Sequence, residues 1–263
     1  MKSTLIIKNF LIRIKILKIT YLFIFICLIT GLIKELIGIT ILVLFHELGH
    51  FIFSFIFKWN IKEIVLYPFG GFIKYDDLID KPLLEEFIVT IMGPIFQIIT
   101  YLVIYYMHNN YYISTHFYNI VKNYHYSMLI FNLIPIIPLD GSKLLNIVLN
   151  KVFNYRLSYI TSFIISVIFF IIFIIKNNYI FISVFIIFEL YLYIKNKNIM
   201  FNRFILEKYL YKNKYKKYIK VSGLDKMHRN KKNLIKNKNS YVSENYLIKK
   251  VYMDMDKGMD NNS

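Results

Sequence analysis

Residues 39–55 read ITILVLFHELGHFIFSF, an apolar run long enough to form most of a bilayer-crossing helix, with two histidines and a glutamate at its centre. Such a segment belongs in hydrocarbon or in a protein core, and in either place three polar side chains need partners. The surrounding chain is just as apolar: 57% of its 263 residues are hydrophobic and only 19% charged, far from soluble proportions. Further apolar stretches give a set at about 19–33, 36–57, 86–107, 126–148, 158–175 and 179–194. Most approach the roughly 20 residues a helix needs to cross a membrane. The reading is a mainly α, polytopic membrane protein with six transmembrane helices. A disordered chain is excluded by the apolar content, and a disulfide scaffold by the single cysteine, Cys27.

The net charge of +17 is concentrated at one end. Residues 195–263 hold 18 of the 33 Lys and Arg against 6 Asp and Glu. No nucleic-acid motif accompanies this basicity, so no nucleic-acid partner is expected. The domain organisation reads as 1–194, an intramembrane domain, followed by 195–263, a basic cytosolic tail. That tail reads as a solvated positive-inside anchor, with attraction to anionic lipid or docking of a partner as its functional alternatives. Orientation follows from Lys2, Lys8, Arg13, Lys15 and Lys18, from Lys58, Lys62, Lys74 and Lys81, and from Lys151 and Arg156. The opposite side has only Lys34, Lys122 and Lys176, which puts both termini in the cytoplasm. No small-residue cleavage site follows the basic N-terminus, so the first stretch reads as a retained span.

His46-Glu47-Leu48-Gly49-His50 is an H-E-x-x-H pattern. On a helix, residues four apart share a face, so both imidazoles can reach one Zn²⁺ while Glu47 stays free to accept a proton from water. Two histidines leave zinc short of protein ligands. The other four, His108, His116, His125 and His228, read as lying in loops or in the tail. Asp140, in NLIPIIPLDGSKLL, is the better third ligand, because Pro135 and Pro138 break the fourth helix where unwound backbone must line a cavity or be buried. An Asp-Gly turn in the headgroup region is the bland alternative for Asp140. Asn132 reads either as a contact to substrate or oxyanion or as a packing amide. The segment IKEIVLYPFGGFIKYDD, interrupted by Pro68, Gly70 and Gly71, reads as a re-entrant β-hairpin turning at the Gly-Gly pair, and its edge would hold an extended peptide. Gly93-Pro94 marks a close helix approach or a kink.

HELGH in one span, GPIFQ in the next and NLIPIIPLDG about 90 residues after the first motif together resemble the site-2 protease family, peptidase family M50, over roughly residues 20–150. The resemblance implies an intramembrane zinc metalloendopeptidase, with His46, His50 and Asp140 as zinc ligands, Glu47 as the catalytic glutamate and Asn132 near the active site. The short loops and six-span outline look most like the sporulation members of that family. This implies processing of the pro-sigma-K transcription factor in the mother-cell membrane around the forespore, under the control of small inhibitory membrane proteins. A general site-2 protease cleaving a membrane-bound anti-sigma factor is the main alternative, and a non-enzymatic metal transporter using the same residues a more distant one. Two positions depart from the family pattern: Ser142 stands where a second glycine often follows the Asp-Gly pair, and Gln97 where the Gly-Pro motif often ends in Asn. Neither is expected to touch a ligand. Sporulation members usually end in a CBS domain, and the tail is too short for an intact one, so it reads as a remnant.

Overall fold

The computed structural model describes residues 13–67, 70–76, 80–176, 180–211, 217–237 and 240–250; Lys2, Lys8 and Pro68 lie outside these. The chain divides into two compact units, Met1–Asp77 with Glu85–Ile134, and Leu78–Leu84 with Pro135–Ser263.

The first unit is built on the HELGH helix. Strand β1 (Ile14–Ile16) leads into α1 (Lys18–Ile29) and then α2 (Ile33–Ile56), followed by strands β2 (Ile61–Tyr67) and β3 (Gly70–Tyr75). Helices α3 (Leu83–Asn109) and α4 (Thr115–Leu133) complete it. The β-branched residues of α2 are mediocre helix formers in water. In hydrocarbon the helix is favoured because it satisfies every backbone polar group within the segment. Ser114 caps α4 by accepting from the Phe117 N–H, and Glu85 and Glu86 stand in the first turn of α3, where the helix dipole favours negative charge.

β2 pairs antiparallel with β3 and parallel with β1, so β3 is an outer strand of a three-stranded sheet. β2 and β3 thus pair as the arms of a hairpin, in a register that sets Tyr67 opposite Gly70 and Leu66 opposite Gly71. Both glycines thus belong to β3 and not to the turn. The sheet packs on α2 through Phe51, Ile61, Ile64 and Ile73, joined by Leu44 and Leu48, and the Tyr75 hydroxyl lies 2.9 Å from Ser54 Oγ.

The second unit contains α5 (Asp140–Val152), α6 (Tyr155–Lys176), α7 (Ile180–Lys195) and α8 (Lys197–Leu210). A second sheet follows, β4 (Tyr218–Val221), β5 (Lys232–Asn237) and β6 (Ser240–Ser243), in that spatial order. Residues 197–250 are more than a solvated anchor. Phe204, Ile205, Val221, Met227, Ile235 and Ile248 form a core with Tyr155, whose ring stacks on Phe204 at 4.2 Å. Beside it Arg229, which is buried, donates to Glu207 at 2.7 Å and to the Lys81 carbonyl at 2.6 Å. Lys208 Nζ lies 3.7 Å from Glu244, whose carboxylate also accepts from Asn233.

Among the described residues three helices are long and apolar enough to cross a membrane, Ile33–Ile56, Leu83–Asn109 and Tyr155–Ile175. The first expected stretch forms only the 12-residue α1, and the last the 16-residue α7. The fourth is interrupted between Leu133 and Asp140, where neither Pro135 nor Pro138 can donate a helical hydrogen bond. Outward-facing Ile99, Leu102 and Val103 on α3, and Ile171, Ile172 and Ile175 on α6, are at least half exposed. Apolar faces of that extent suit acyl chains rather than water.

Candidate metal centre

Helix α2 buries a stripe of residues three and four apart: Leu42, Val43, His46, Glu47, Gly49, His50, Phe51 and Ser54. The H-E-x-x-H residues therefore all fall on its inward face, while Phe45 and Phe55 point outward. This is the arrangement expected when a bilayer-crossing helix carries ionisable groups, since the lipid face would leave them unsolvated.

Hydrogen bonding sets the tautomers of both histidines. His50 Nδ1 stands 2.8 Å from the carbonyl oxygen of Val89. A carbonyl only accepts, so Nδ1 carries the hydrogen and Nε2 keeps its lone pair in the neutral ring. Gln97 makes the same choice for His46. Its Nε2 donates to the His125 carbonyl at 3.0 Å, which turns Oε1 toward His46 Nδ1, 3.2 Å away. His46 Nδ1 is thus also a donor. The two Nε2 atoms lie 3.1 Å apart. Facing lone pairs repel at that separation unless they share a cation. Two nitrogens bound to one tetrahedral Zn²⁺ at about 2.0–2.1 Å would stand roughly 3.3 Å apart, so the donor pair fits the ion.

Asp140 opens α5, in the turn where the helix dipole stabilises a carboxylate, and Lys143 donates to its Oδ1 at 2.9 Å. In the first unit the buried pair His46 and His50 offers two ring nitrogens as potential metal ligands, and in the second unit Asp140, also buried, offers a carboxylate oxygen. Two imidazoles and a carboxylate make a donor set that zinc accepts.

Two glycines border these side chains. A Cβ built on Gly71 would meet the Glu47 carboxyl group, 2.6 Å from Cδ and 2.8 Å from Oε1. One on Gly93 would run into the His50 ring, 2.9 Å from Cδ2. Gly70, by contrast, has open space around it. Pro94 lies inside α3 directly after Gly93, so the Gly-Pro pair serves the approach of α3 to His50. Asn132 is the penultimate residue of α4 and is partly buried. Ser142 donates to the Leu139 carbonyl at 2.7 Å, closing the first turn of α5.

Two expectations are corrected. Gln97 does touch a candidate ligand, through His46 Nδ1. His125 does not lie in a loop: it is a buried residue of α4, stacked on Tyr101 at 4.3 Å. The available signal was an amide in an apolar run for Gln97, whereas His125 stands among Lys122, Asn123 and Ser127 and carried none.

Residues 34–127 match Peptidase family M50, a stretch that includes His46, Glu47, His50, Gly93 and Gln97 and ends before Asp140. Over 118 residues the chain is 40% identical to Stage IV sporulation protein FB of Bacillus subtilis (strain 168). That match covers 45% of this chain and 41% of the relative, so less than half of the relative's length is spanned. The solved Site-2 Protease from Methanocaldococcus jannaschii has a similar fold, with a TM-score of 0.50 and 23% identity, over 67% of this chain and 88% of that one. The chain thus resembles the site-2 protease family in sequence and in fold, and Stage IV sporulation protein FB in particular.

Proposed function

We propose that this chain, which matches peptidase family M50 and has the fold of a site-2 protease, is an intramembrane zinc metalloendopeptidase. Its zinc ligands are His46, His50 and Asp140, and Glu47 is its acid-base residue. The reading is carried by one observation: both histidines have Nδ1 committed to an acceptor, with their Nε2 atoms facing each other 3.1 Å apart. A zinc ion held there supplies a Lewis acid that polarises a peptide carbonyl and acidifies water.

Glu47, buried on the same face as the two histidines, takes a proton from the attacking water and returns it to the leaving amine. Gly71 keeps the β3 backbone close against that carboxyl group. As an outer strand, β3 can hold a substrate in extended form by backbone hydrogen bonds, leaving a peptide bond open to attack. Asn132, Gly70 and Gly71 are assigned to contacts with substrate or oxyanion.

The finer reading is a six-span protein of the cell membrane with both termini cytoplasmic, a hairpin that re-enters the bilayer, a domain over 1–194 and a basic tail over 195–263 that derives from a CBS domain. Its substrate is a membrane-associated protein, and the 40% identity to a sporulation protein favours pro-sigma-K, processed in the mother-cell membrane around the forespore. Small inhibitory membrane proteins would restrain it, and anionic lipid would hold the tail.

Co-expression with pro-sigma-K and with a membrane-bound anti-sigma factor, followed by size analysis, tests this. The expected result is a shortened pro-sigma-K with the wild-type chain and none with Glu47→Gln, while zinc stays bound in both. Cleavage of the anti-sigma factor alone would make the chain a general site-2 protease. Cleavage that survives Glu47→Gln would remove Glu47 from the mechanism.

A further inference from the structure

We infer that Gln97 is a positioning residue of the metal centre, holding His46 in the tautomer that can bind an ion. The inference rests on the metalloprotease reading above and assigns a task that reading leaves open. Gln97 is fully buried in the middle of α3, a 27-residue helix that is largely apolar around it. An amide placed there is costly unless both of its ends are satisfied.

Both ends are satisfied, and in a fixed order. The His125 carbonyl can only accept, so the amide nitrogen must face it, at 3.0 Å. The amide oxygen must then face His46 Nδ1, at 3.2 Å, and an oxygen there demands a hydrogen on that nitrogen. The reversed amide would place two acceptors opposite each other at His125 and leave Nδ1 free to take the wrong tautomer. The anchor is itself rigid. The His125 ring lies parallel to that of Tyr101 at 4.3 Å, and the Tyr101 and Tyr118 hydroxyls are 3.0 Å apart, tying α3 to α4. The orientation of α4 against α3 therefore reaches His46 Nε2 through one amide.

The test uses the full chain in detergent with variants Gln97→Leu and Gln97→Glu and His46→Ala as a reference. Zinc affinity is measured by competition with a chelator, the Co²⁺ electronic spectrum reports ligand geometry, and the melting temperature of the metal-free protein reports packing. Both substitutions at Gln97 remove the donor to the His125 carbonyl, but only Glu retains an acceptor for His46 Nδ1–H. Gln97→Leu should weaken zinc binding roughly 10- to 100-fold and alter the Co²⁺ spectrum, as loss of a partner to a metal-binding histidine does. Gln97→Glu should stay within a few-fold of wild type with an unchanged spectrum. If Gln97→Leu does not fold, Gln97→Met takes its place. Wild-type affinity in the apolar variant, or equal losses in the apolar and Glu variants, overturns the inference. A wild-type chain that binds no more zinc than His46→Ala overturns the metalloprotease reading instead.

Discussion

Gly71 lies so close to Glu47 that even one methyl group between them would overlap the carboxyl: a Cβ on Gly71 would stand 2.6 Å from Cδ and 2.8 Å from Oε1. Strand β3 therefore packs directly on the Glu47 side chain, which would have to move to admit a Cβ at position 71. The same closeness brings the edge of the hairpin to the residue proposed to move the proton.

Gly71→Ala should lower proteolysis at least tenfold, equivalent to about 1.4 kcal/mol of barrier, with zinc content unchanged, because the added methyl displaces Glu47 and not the histidines. Turnover and metal content measured on the same preparation check this. Full activity in the Ala variant would mean that the hairpin does not sit on Glu47 during catalysis.

Gly93→Ala should act on the metal. Its methyl would meet the imidazole of His50, so zinc affinity is expected to fall by roughly 10- to 100-fold, a loss comparable with that of a supporting partner. Chelator competition reads the change. A variant with normal affinity would show that α3 can withdraw from His50 at little cost.

Arg229→Ala should destabilise the second unit, because it strips buried Glu207 of its guanidinium and the Lys81 carbonyl of a donor. Removing one member of a buried pair costs about 3–5 kcal/mol, whereas replacing both with apolar groups is often close to neutral. Denaturant unfolding should therefore show a large loss for Arg229→Ala and recovery of most of it when Glu207→Leu is added. A loss below about 1 kcal/mol in the single variant would mean that water reaches the pair.

Burial pushes the Lys208 ammonium down to about 8, against the opposing pull of Glu244 and Glu207. For a base whose folded pKa lies below its unfolded value, the unfolded chain binds more protons in the window between the two. Stability then rises with pH from about 8 to 10.5. Lys208→Met should remove that component, on the order of 2 kcal/mol across the window, from unfolding profiles compared with wild type. Profiles that stay parallel over this range would place the ammonium in water.

Much of the site is readable along the chain because its information is local. His46, Glu47 and His50 lie within one and a half turns, so helical periodicity alone puts the two histidines on one face. Asp140 could be picked out because Pro135 and Pro138 mark where the fourth helix must break. Gln97 and His125 were undervalued for the opposite reason. Gln97 is a single amide in an apolar run and His125 one of several polar residues in its segment, and the link between them depends on how α3 packs against α4. The core of the basic segment is hidden for the same reason: Phe204, Val221, Met227, Ile235 and Ile248 are scattered among charges, and no short window averages them into a core.

Hydrophobic content and a four-residue histidine spacing, both properties of consecutive residues, determined a mainly helical chain with long apolar helices and two histidines on one face of one of them. Which nitrogen of each histidine carries its proton, which glycine stands against which side chain, and which residues of the basic segment are buried were decided only by tertiary structure. The physical reason is that hydrogen-bond direction and steric exclusion act over a few ångströms between residues far apart in the chain. The 51 positions separating His46 from Gln97 become one hydrogen bond only after α2 and α3 have packed together.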